Sequence, residues 1–279
     1  MGNSRRPSFI LLRLAFAGLF LLPLLWAGLA ALRPTGTPLS APLLAGRPTL
    51  DSFARLFAVV PIWRFTANSL LVVGLAVPLT LLTASWAGFA MARLPRSSQR
   101  RWVLLSLMAL MVPGVALWSS RFLLYSRVGL IDTVWALVAP AFMGSSPFYV
   151  LIFYRAFRRI PPAIFDAAQL DGAGVLATWR RVALPIARPS AAAVAALTFV
   201  AYWGDSLSPL FYLSDVRRTT LPVGLQLLHQ LGRSDYPLLM AGAVWATVAP
   251  LLLVVAAVAG LALAERRRAP HRAASLDTD

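Results

Sequence analysis

The chain contains no cysteine and no lysine, and its 279 residues include only two histidines. Without cysteine it cannot form a disulfide, a thiolate metal site or a CxxC redox motif. Without lysine it cannot hold a Walker A motif or form a Schiff base, and neither G-x-S-x-G nor H-E-x-x-H occurs in it. These absences predict a protein that is not an enzyme and that binds no metal or cofactor of its own.

Charge is also scarce, at 13% of residues against 59% that are hydrophobic, whereas soluble domains average about 25% charged. Every one of the 26 basic residues is arginine, and the net charge is +16. A nucleic-acid-binding protein could be as basic, but it would not carry apolar runs of about 20 residues, the length that crosses a bilayer core. The composition therefore predicts membrane lipid, and no nucleic acid, as the surroundings of the chain.

Six apolar segments are long enough to cross a membrane. They are continuous rather than alternating, which favours helices over barrel strands, because a helix satisfies its own backbone in lipid. The fold class predicted is an all-α polytopic membrane protein with six transmembrane helices. The segments are Phe9–Leu32, Phe65–Met91, Trp102–Phe122, Val134–Tyr154, Pro189–Tyr212 and Leu238–Ala264.

The arginines are distributed unequally between alternate loops. One set of loops, within 5–13, 93–101, 155–188 and 266–272, holds 17, and the other set, within 33–64, 121–127 and 217–233, holds nine. The positive-inside rule then places both termini in the cytoplasm. A cleaved signal peptide is the alternative reading of the first segment, but its apolar run of about 24 residues exceeds the usual 7–15.

Between the fourth and fifth segments lies a polar interruption, FDAAQLDGAGVLATWRRVALP, at 165–185. Pro162 is suited to the first turn of a new helix, because a proline there loses no intrahelical hydrogen bond. The stretch 172–174, Gly-Ala-Gly, permits a sharp turn, and Leu184-Pro185 is expected to stop the second helical piece. The pattern predicts a cytoplasmic helix-turn-helix that docks in a partner's groove; an amphipathic linker on the lipid surface is the alternative.

This stretch resembles the "EAA" loop of the inner-membrane permease subunits of ABC importers. The family pattern is E-A-A, three residues, G, nine residues, I-x-L-P. The chain has Asp166-Ala167-Ala168, three residues, Gly172, nine residues, and then Val182-Ala183-Leu184-Pro185. The spacing agrees at every fixed position, and Asp171 beside the glycine extends the match.

The resemblance is to carbohydrate-uptake permeases similar to the second maltose permease subunit, and it runs from about Phe65 to Ala264. It is carried also by NSLLVVGLAVPLTLLTASWAGFAMARL at 68–94, VGLIDTVWALVAP at 128–140 and LPVGLQLL at 221–228. The resemblance implies an N-terminal tail, first helix and outer loop at 1–64, a permease core at 65–264 with the coupling loop at 161–188, and a cytoplasmic tail at 265–279.

The resemblance also implies partners: a second homologous permease subunit, a cytoplasmic ATPase dimer that uses the ATP, and an external solute-binding protein. The location implied is the bacterial inner membrane. The loop would seat in a cleft of the ATPase and transmit its closure to the membrane helices. The coupling residues implied are Asp166, Ala167, Ala168, Asp171, Gly172, Leu184 and Pro185.

The chain departs from the family pattern at three places. Asp166 replaces the usual glutamate and is one methylene shorter, so that any salt bridge to the ATPase is displaced or bridged by water. Sugar permeases commonly have W-N-D where this chain has Trp203-Gly204-Asp205, and the glycine removes a polar side chain. The usual glycine-rich ending is replaced by ERRRAPHRAASLDTD from Glu265.

Four residues are candidates for a substrate pathway. Asp205 is the one acidic residue inside a predicted span, where a charge costs roughly 2.5–3.5 kcal/mol, so it is expected to face a cavity. Tyr202 and Trp203 could stack on a sugar ring, or they could belong to the interfacial aromatic belt. Asn68 is expected to cap the second helix, with ligand contact as the alternative. His229 is expected to be solvated or docked on a binding protein rather than to bind a metal.

The leading functional reading is a permease subunit that moves a sugar or sugar-like solute by alternating access, driven by the separate ATPase. Two alternatives stay open. One is a permease for a non-sugar solute such as a polyamine or phosphate. The other is a membrane assembly factor without a transport path.

Overall fold

The computed structural model describes residues 7–38, 40–42, 46–231, 235–248, 250–252 and 255. These residues form helices and turns, with no strand among them, which confirms the predicted all-α class. The tail from Glu265, with its run of three arginines, lies outside the described residues. The helices are α1 Pro7–Ala31, α2 Asp51–Val59, α3 Ile62–Arg93, α4 Arg96–Leu110, α5 Trp118–Arg127, α6 Val134–Val138, α7 Pro147–Arg158, α8 Pro162–Leu170, α9 Val175–Thr178, α10 Leu184–Ile186, α11 Arg188–Trp203, α12 Leu207–Tyr212, α13 Leu221–Leu231 and α14 Tyr236–Leu252.

The chain divides into two compact units, Met1–Ile62 with Leu225–Asp279, and Trp63–Gly224. In the first unit, Arg55 of α2 forms an ion pair with Asp235. The ring of Phe57 packs edge-on against Trp245 of α14, with 5.2 Å between ring centroids. These contacts join α2 to the last described helix.

In the second unit, two clusters of buried apolar side chains hold the helices together. One joins α3 and α7 to the 165–187 region and includes Phe89, Phe157 and Trp179. The other joins α3 to α6 and α12 and includes Tyr212. At Gly88 a Cβ atom would lie only 2.7 Å from the Cβ of Phe153, so the glycine allows α3 and α7 to cross closely.

Two helical stretches are long and apolar enough to cross a membrane, namely α3 and the run Val134–Arg158. Two helix pairs meet the same test together but are bent: Arg96–Leu110 with Gly114–Arg127 by 88°, and Val175–Ile186 with Arg188–Trp203 by 83°. Gly18–Ala31 and α14 are shorter apolar helices. The count of six transmembrane helices therefore stays a prediction.

The predicted apolar segment Trp102–Phe122 is not one continuous helix, and whether it crosses the membrane as one span stays a prediction. Helix α4 ends at Leu110, and the chain turns through 88° before α5. Pro113 lies in this break, where it lacks an amide hydrogen to donate and restricts the residue before it. Pro113 therefore explains why the helix is interrupted in this segment.

The predicted apolar segment Pro189–Tyr212 is likewise not one continuous helix. Helix α11 ends at Trp203, and α12 begins only at Leu207. Asp205 lies in the interval, and its Oδ1 accepts hydrogen bonds from the backbone N–H groups of Leu207 (3.1 Å) and Ser208 (3.0 Å). The carboxylate thus stabilises the start of a new helix in place of continuing the old one.

Candidate functional site

The stretch 162–186 folds as the predicted helix-turn-helix, with α8 beginning at Pro162. The turn is held by backbone hydrogen bonds from Asp171 to Ala167 (3.0 Å) and from Ala173 to Ala168 (2.9 Å). Gly172 has a φ of +76°, in the left-handed region that favours glycine. The turn therefore depends on the one glycine at the fixed position of the sequence pattern.

The inner face of this helix-turn-helix packs against its own chain. Phe165 is buried, with its ring centroid 6.1 Å from that of Phe89, and the guanidinium of Arg93 lies 4.9 Å from the Phe165 centroid. Trp179 is buried against Trp86 in an edge-on contact, with 5.1 Å between ring centroids. The helix-turn-helix therefore packs directly on α3.

The outer face of the element is open and apolar. Leu170 is 90% exposed, and Val175 and Leu176 are also largely exposed. Asp166 and Ala167 lie on this exposed face, and so do Asp171 and Gly172. A surface of exposed leucine and valine with two carboxylates beside it fits the docking of another protein.

Not every residue expected at a partner contact is exposed. Ala168 is only 7% exposed because it faces the interior of its own unit, and its part in coupling stays a prediction. Leu184 and Pro185 are half-buried in the following helical segment. These three residues support the element from within.

The expected stop at Leu184-Pro185 is displaced. The backbone continues from α9 through a π-helical turn at Trp179–Ala183 into α10, and the chain bends after Ile186. Pro185 has no amide hydrogen for the regular helical ladder, and the wider turn before it accommodates that loss. The bend leads directly into α11.

The candidate pathway residue Tyr202 is part of a polar network within the helices. Its hydroxyl is 3.0 Å from Oγ of Ser145, which lies 2.5 Å from Oγ1 of Thr80. Ser145 has a φ of +57°, rare for a residue with a side chain. Ser145 and Thr80 carry no local sequence signal, because Ser145 lies 57 positions from Tyr202 and 65 positions from Thr80 along the chain.

The other three pathway candidates have contacts within the chain. Trp203 is 8% exposed and stacks on Phe199 at 5.6 Å between centroids. Asp205 caps α12, as described above. Asn68 lies inside α3, which starts at Ile62, so the expectation that it caps that helix is wrong.

Asn68 instead forms hydrogen bonds to the loop that precedes α13. Its Nδ2 donates to the backbone oxygens of Arg217 and Thr219, both at 2.9 Å. The next residue, Ser69, accepts a buried hydrogen bond from the amide of Leu221 at 2.9 Å. Adjacent polar residues on α3 thus fasten the loop that precedes α13.

Asp132 fastens the other end of the same loop. Its Oδ1 accepts from the amides of Ser214 and Asp215, both at 3.1 Å. The side chain and amide of Arg217 donate to Asp215, which lowers the pKa of that carboxyl below its usual value. His229 lies exposed in α13, and the described part of the chain contains no group of three potential metal ligands.

The fold and this site define a class: a helical, polytopic membrane protein with a helix-turn-helix, exposed on one face, between two apolar stretches. The family described as "Binding-protein-dependent transport system inner membrane component" matches residues 84–269. The chain belongs to this family and is a permease component of an ABC importer.

Relatives extend over most of the chain. The arabinooligosaccharides transport system permease protein of Halalkalibacterium halodurans is 32% identical over 207 residues, which are 74% of this chain and 73% of that protein. The diacetylchitobiose uptake system permease protein of Streptomyces coelicolor is 30% identical over 237 residues, 84% and 78% of the two chains. A solved bacterial ABC transporter involved in import of the acidic polysaccharide alginate shares the fold, with a TM-score of 0.73, 18% identity and coverage of 93% and 98%.

Proposed function

We propose that this chain is a membrane-spanning subunit for uptake of a sugar or sugar-like solute, and that the solute is an oligosaccharide. The observation that carries the proposal is the helix-turn-helix at 162–186, buried on one face and open on the other. Two relatives, an arabinooligosaccharide permease and a diacetylchitobiose permease, support the solute class. Solute would pass by alternating access, with both termini of the chain in the cytoplasm.

The ATP is used by a separate cytoplasmic ATPase dimer, and this chain has no nucleotide site of its own. The open face carrying Asp166, Ala167, Asp171 and Gly172 would seat in a cleft of that ATPase. Because Phe165 and Trp179 pack on α3, closure of the ATPase would pull on α3 and on the bend that leads into α11. A second permease subunit would complete the path, and an external solute-binding protein would deliver the solute.

Within the membrane, we assign a group of three hydroxyls to the solute path, those of Tyr202, Ser145 and Thr80. Trp203, Asp205 and Asn68 support the surrounding backbone, since each is engaged in the contacts already described. The sugar would meet hydroxyl groups that are already arranged by the Ser145 network. Direct stacking of a sugar on Trp203 would require that ring to leave Phe199.

Affinity purification of the tagged chain from native membranes tests the assignment. Wild type should bring down a second permease and an ATPase, and Asp166→Glu, which restores the family residue, should do the same. Asp166→Arg should reduce recovery of the ATPase by roughly tenfold, since it reverses a charge at an interface, while the second permease is still recovered.

Uptake of labelled oligosaccharides, a polyamine and phosphate by cells with and without the chain identifies the solute. Loss of oligosaccharide uptake alone supports the proposal. Loss of polyamine or phosphate uptake instead would contradict the solute class. Recovery of neither an ATPase nor a second permease would contradict the importer reading and leave an assembly factor.

A further inference from the structure

A cavity of about 530 Å³ lies in the second unit, between α3 and the bend that joins α10 to α11. Its α3 wall includes Leu81, Leu82 and Ser85, and its opposite wall includes Trp179, Arg180 and Arg188. We call this cavity the basic groove. Its volume falls within the range of about 300–1,000 Å³ that is usual for small-molecule sites.

The groove combines an apolar wall with two cations. Arg180 and Arg188 are both exposed, and no carboxylate is among the groove's lining residues. In the described part of the chain neither guanidinium forms an ion pair. Two arginines therefore line an apolar groove that has no carboxylate among its lining residues, so their guanidinium groups are available to an anion.

The predicted orientation of the chain places the groove toward the cytoplasmic side of the membrane. Arg188 is the first residue of the apolar helix α11, and the chain bends by 83° immediately before it. The arginine distribution assigns this end of α11 to the cytoplasmic side of the membrane. An occupant would thus meet the guanidinium groups at the surface and the leucines of α3 below them.

We propose that the basic groove binds an anionic phospholipid of the cytoplasmic leaflet. The phosphodiester would accept hydrogen bonds from Arg180 and Arg188, whose planar guanidinium groups suit phosphate oxygens. An acyl chain would lie along Leu81 and Leu82. Basic pockets between transmembrane helices on the cytoplasmic side are typical sites for acidic headgroups.

The binding does not depend on which solute is transported, so it is measured on the purified full chain with its native partners. Native mass spectrometry would compare retention of added phosphatidylglycerol and phosphatidylcholine. Wild type should retain phosphatidylglycerol preferentially. The double variant Arg180→Gln/Arg188→Gln should weaken its retention by about 30-fold, the effect expected from removing two arginines near an anionic lipid.

The matched control is Arg100→Gln/Arg101→Gln, which removes the same charge from two exposed arginines outside the groove. It should retain phosphatidylglycerol as wild type does. Leu82→Trp should also reduce retention, because Leu82 lines the groove and a larger side chain there would occupy space for the acyl chain. Inorganic phosphate, which carries the anion without an acyl chain, should not displace the lipid.

Three results would overturn the proposal. One is equal loss of lipid in the two double arginine variants, which would mean that only overall charge matters. The second is displacement by inorganic phosphate, which would indicate a phosphate site. The third is cross-linking of a cysteine at Leu82 to the second permease in the intact complex, which would show that protein covers the groove.

Discussion

Gly172 is the residue on which the turn of the helix-turn-helix depends. Its φ is +76°, and the amide of the following residue, Ala173, closes the turn on the carbonyl of Ala168. A residue with a side chain in this region costs roughly 1–2 kcal/mol, and a β-branched residue is a stronger outlier. Nothing in the chain lies within 4 Å of a Cβ at Gly172, so the cost arises from the backbone and not from crowding within the chain.

We therefore predict that Gly172→Val lowers solute uptake and transport-stimulated ATPase activity by roughly tenfold. The reason is that a backbone strain of about 1–2 kcal/mol at this position disfavours the turn in the docked state. The amount of chain in the membrane should not change, because insertion depends on the apolar helices. Gly174→Val is the control, since Gly174 has a φ of −66° and open space around it. Equal activity of both variants would contradict the assigned role of the turn.

At the scale of elements, the loop before α13 is fastened to α3 and to the turn at Asp132. Ser69 accepts from the amide of Leu221 in a buried hydrogen bond, and a buried donor without a partner costs about 1–3 kcal/mol. Ser69→Ala should therefore loosen the loop that carries Arg217 and Arg218. Limited trypsin digestion of the purified chain should cut after these arginines several times faster.

Ser214→Ala is the control for this prediction. Ser214 is exposed, and its contact with Asp132 is made by its backbone amide, which the substitution keeps. Its digestion should match that of wild type. If Ser69→Ala were cut no faster than Ser214→Ala, the hydrogen bond from α3 would not be what holds the loop.

The elements also show what sequence patterns can and cannot predict. Local features, such as Pro162 starting α8 and the glycine spacing that places the turn, were predicted from the sequence because they depend on neighbouring residues. Apolar runs identified helices but not where they end, because hydropathy carries no signal for the 88° bend between α4 and α5 or for the interval between α11 and α12. Prolines lie near both breaks, yet the prolines inside α1 and α3 do not end those helices.

Only the part of the candidate site that is formed by one continuous segment of the chain could be predicted from the sequence. The helix-turn-helix is contiguous, so its exposed carboxylates and its turn follow from the sequence pattern. The burial of Ala168 depends on where α3 packs, and the hydrogen bonds of Asn68 reach a loop about 150 residues away. Such long-range contacts are determined by tertiary packing, which no local spacing encodes.

At the scale of the whole molecule, the unequal distribution of arginine predicts the orientation in the membrane. A chain without cysteine permits clean labelling of single introduced thiols. A cysteine at Ser98 should be shielded from an impermeant thiol reagent in intact cells, and a cysteine at Ser214 should be labelled. Labelling of Ser98→Cys with protection of Ser214→Cys would contradict the orientation.

The division into a leading part at 1–64, a core at 65–264 and a tail at 265–279 stays a prediction at this scale. The family match at 84–269 covers most of the proposed core. The described residues before Trp63 and those after Gly224 fall in one compact unit. The helix-turn-helix at 162–186 lies wholly in the other unit.

The central claim is that the helix-turn-helix at 162–186 docks on the ATPase. The most direct test is a photo-cross-link from its open face. Leu170→Cys would carry a benzophenone maleimide in the intact complex, since this side chain is 90% exposed. Ser98→Cys, assigned to the same side of the membrane, would carry the same reagent as a control. Illumination should join the Leu170 probe, and not the Ser98 probe, to the ATPase subunit; adducts with lipid alone, in a complex that still holds the ATPase, would contradict the claim.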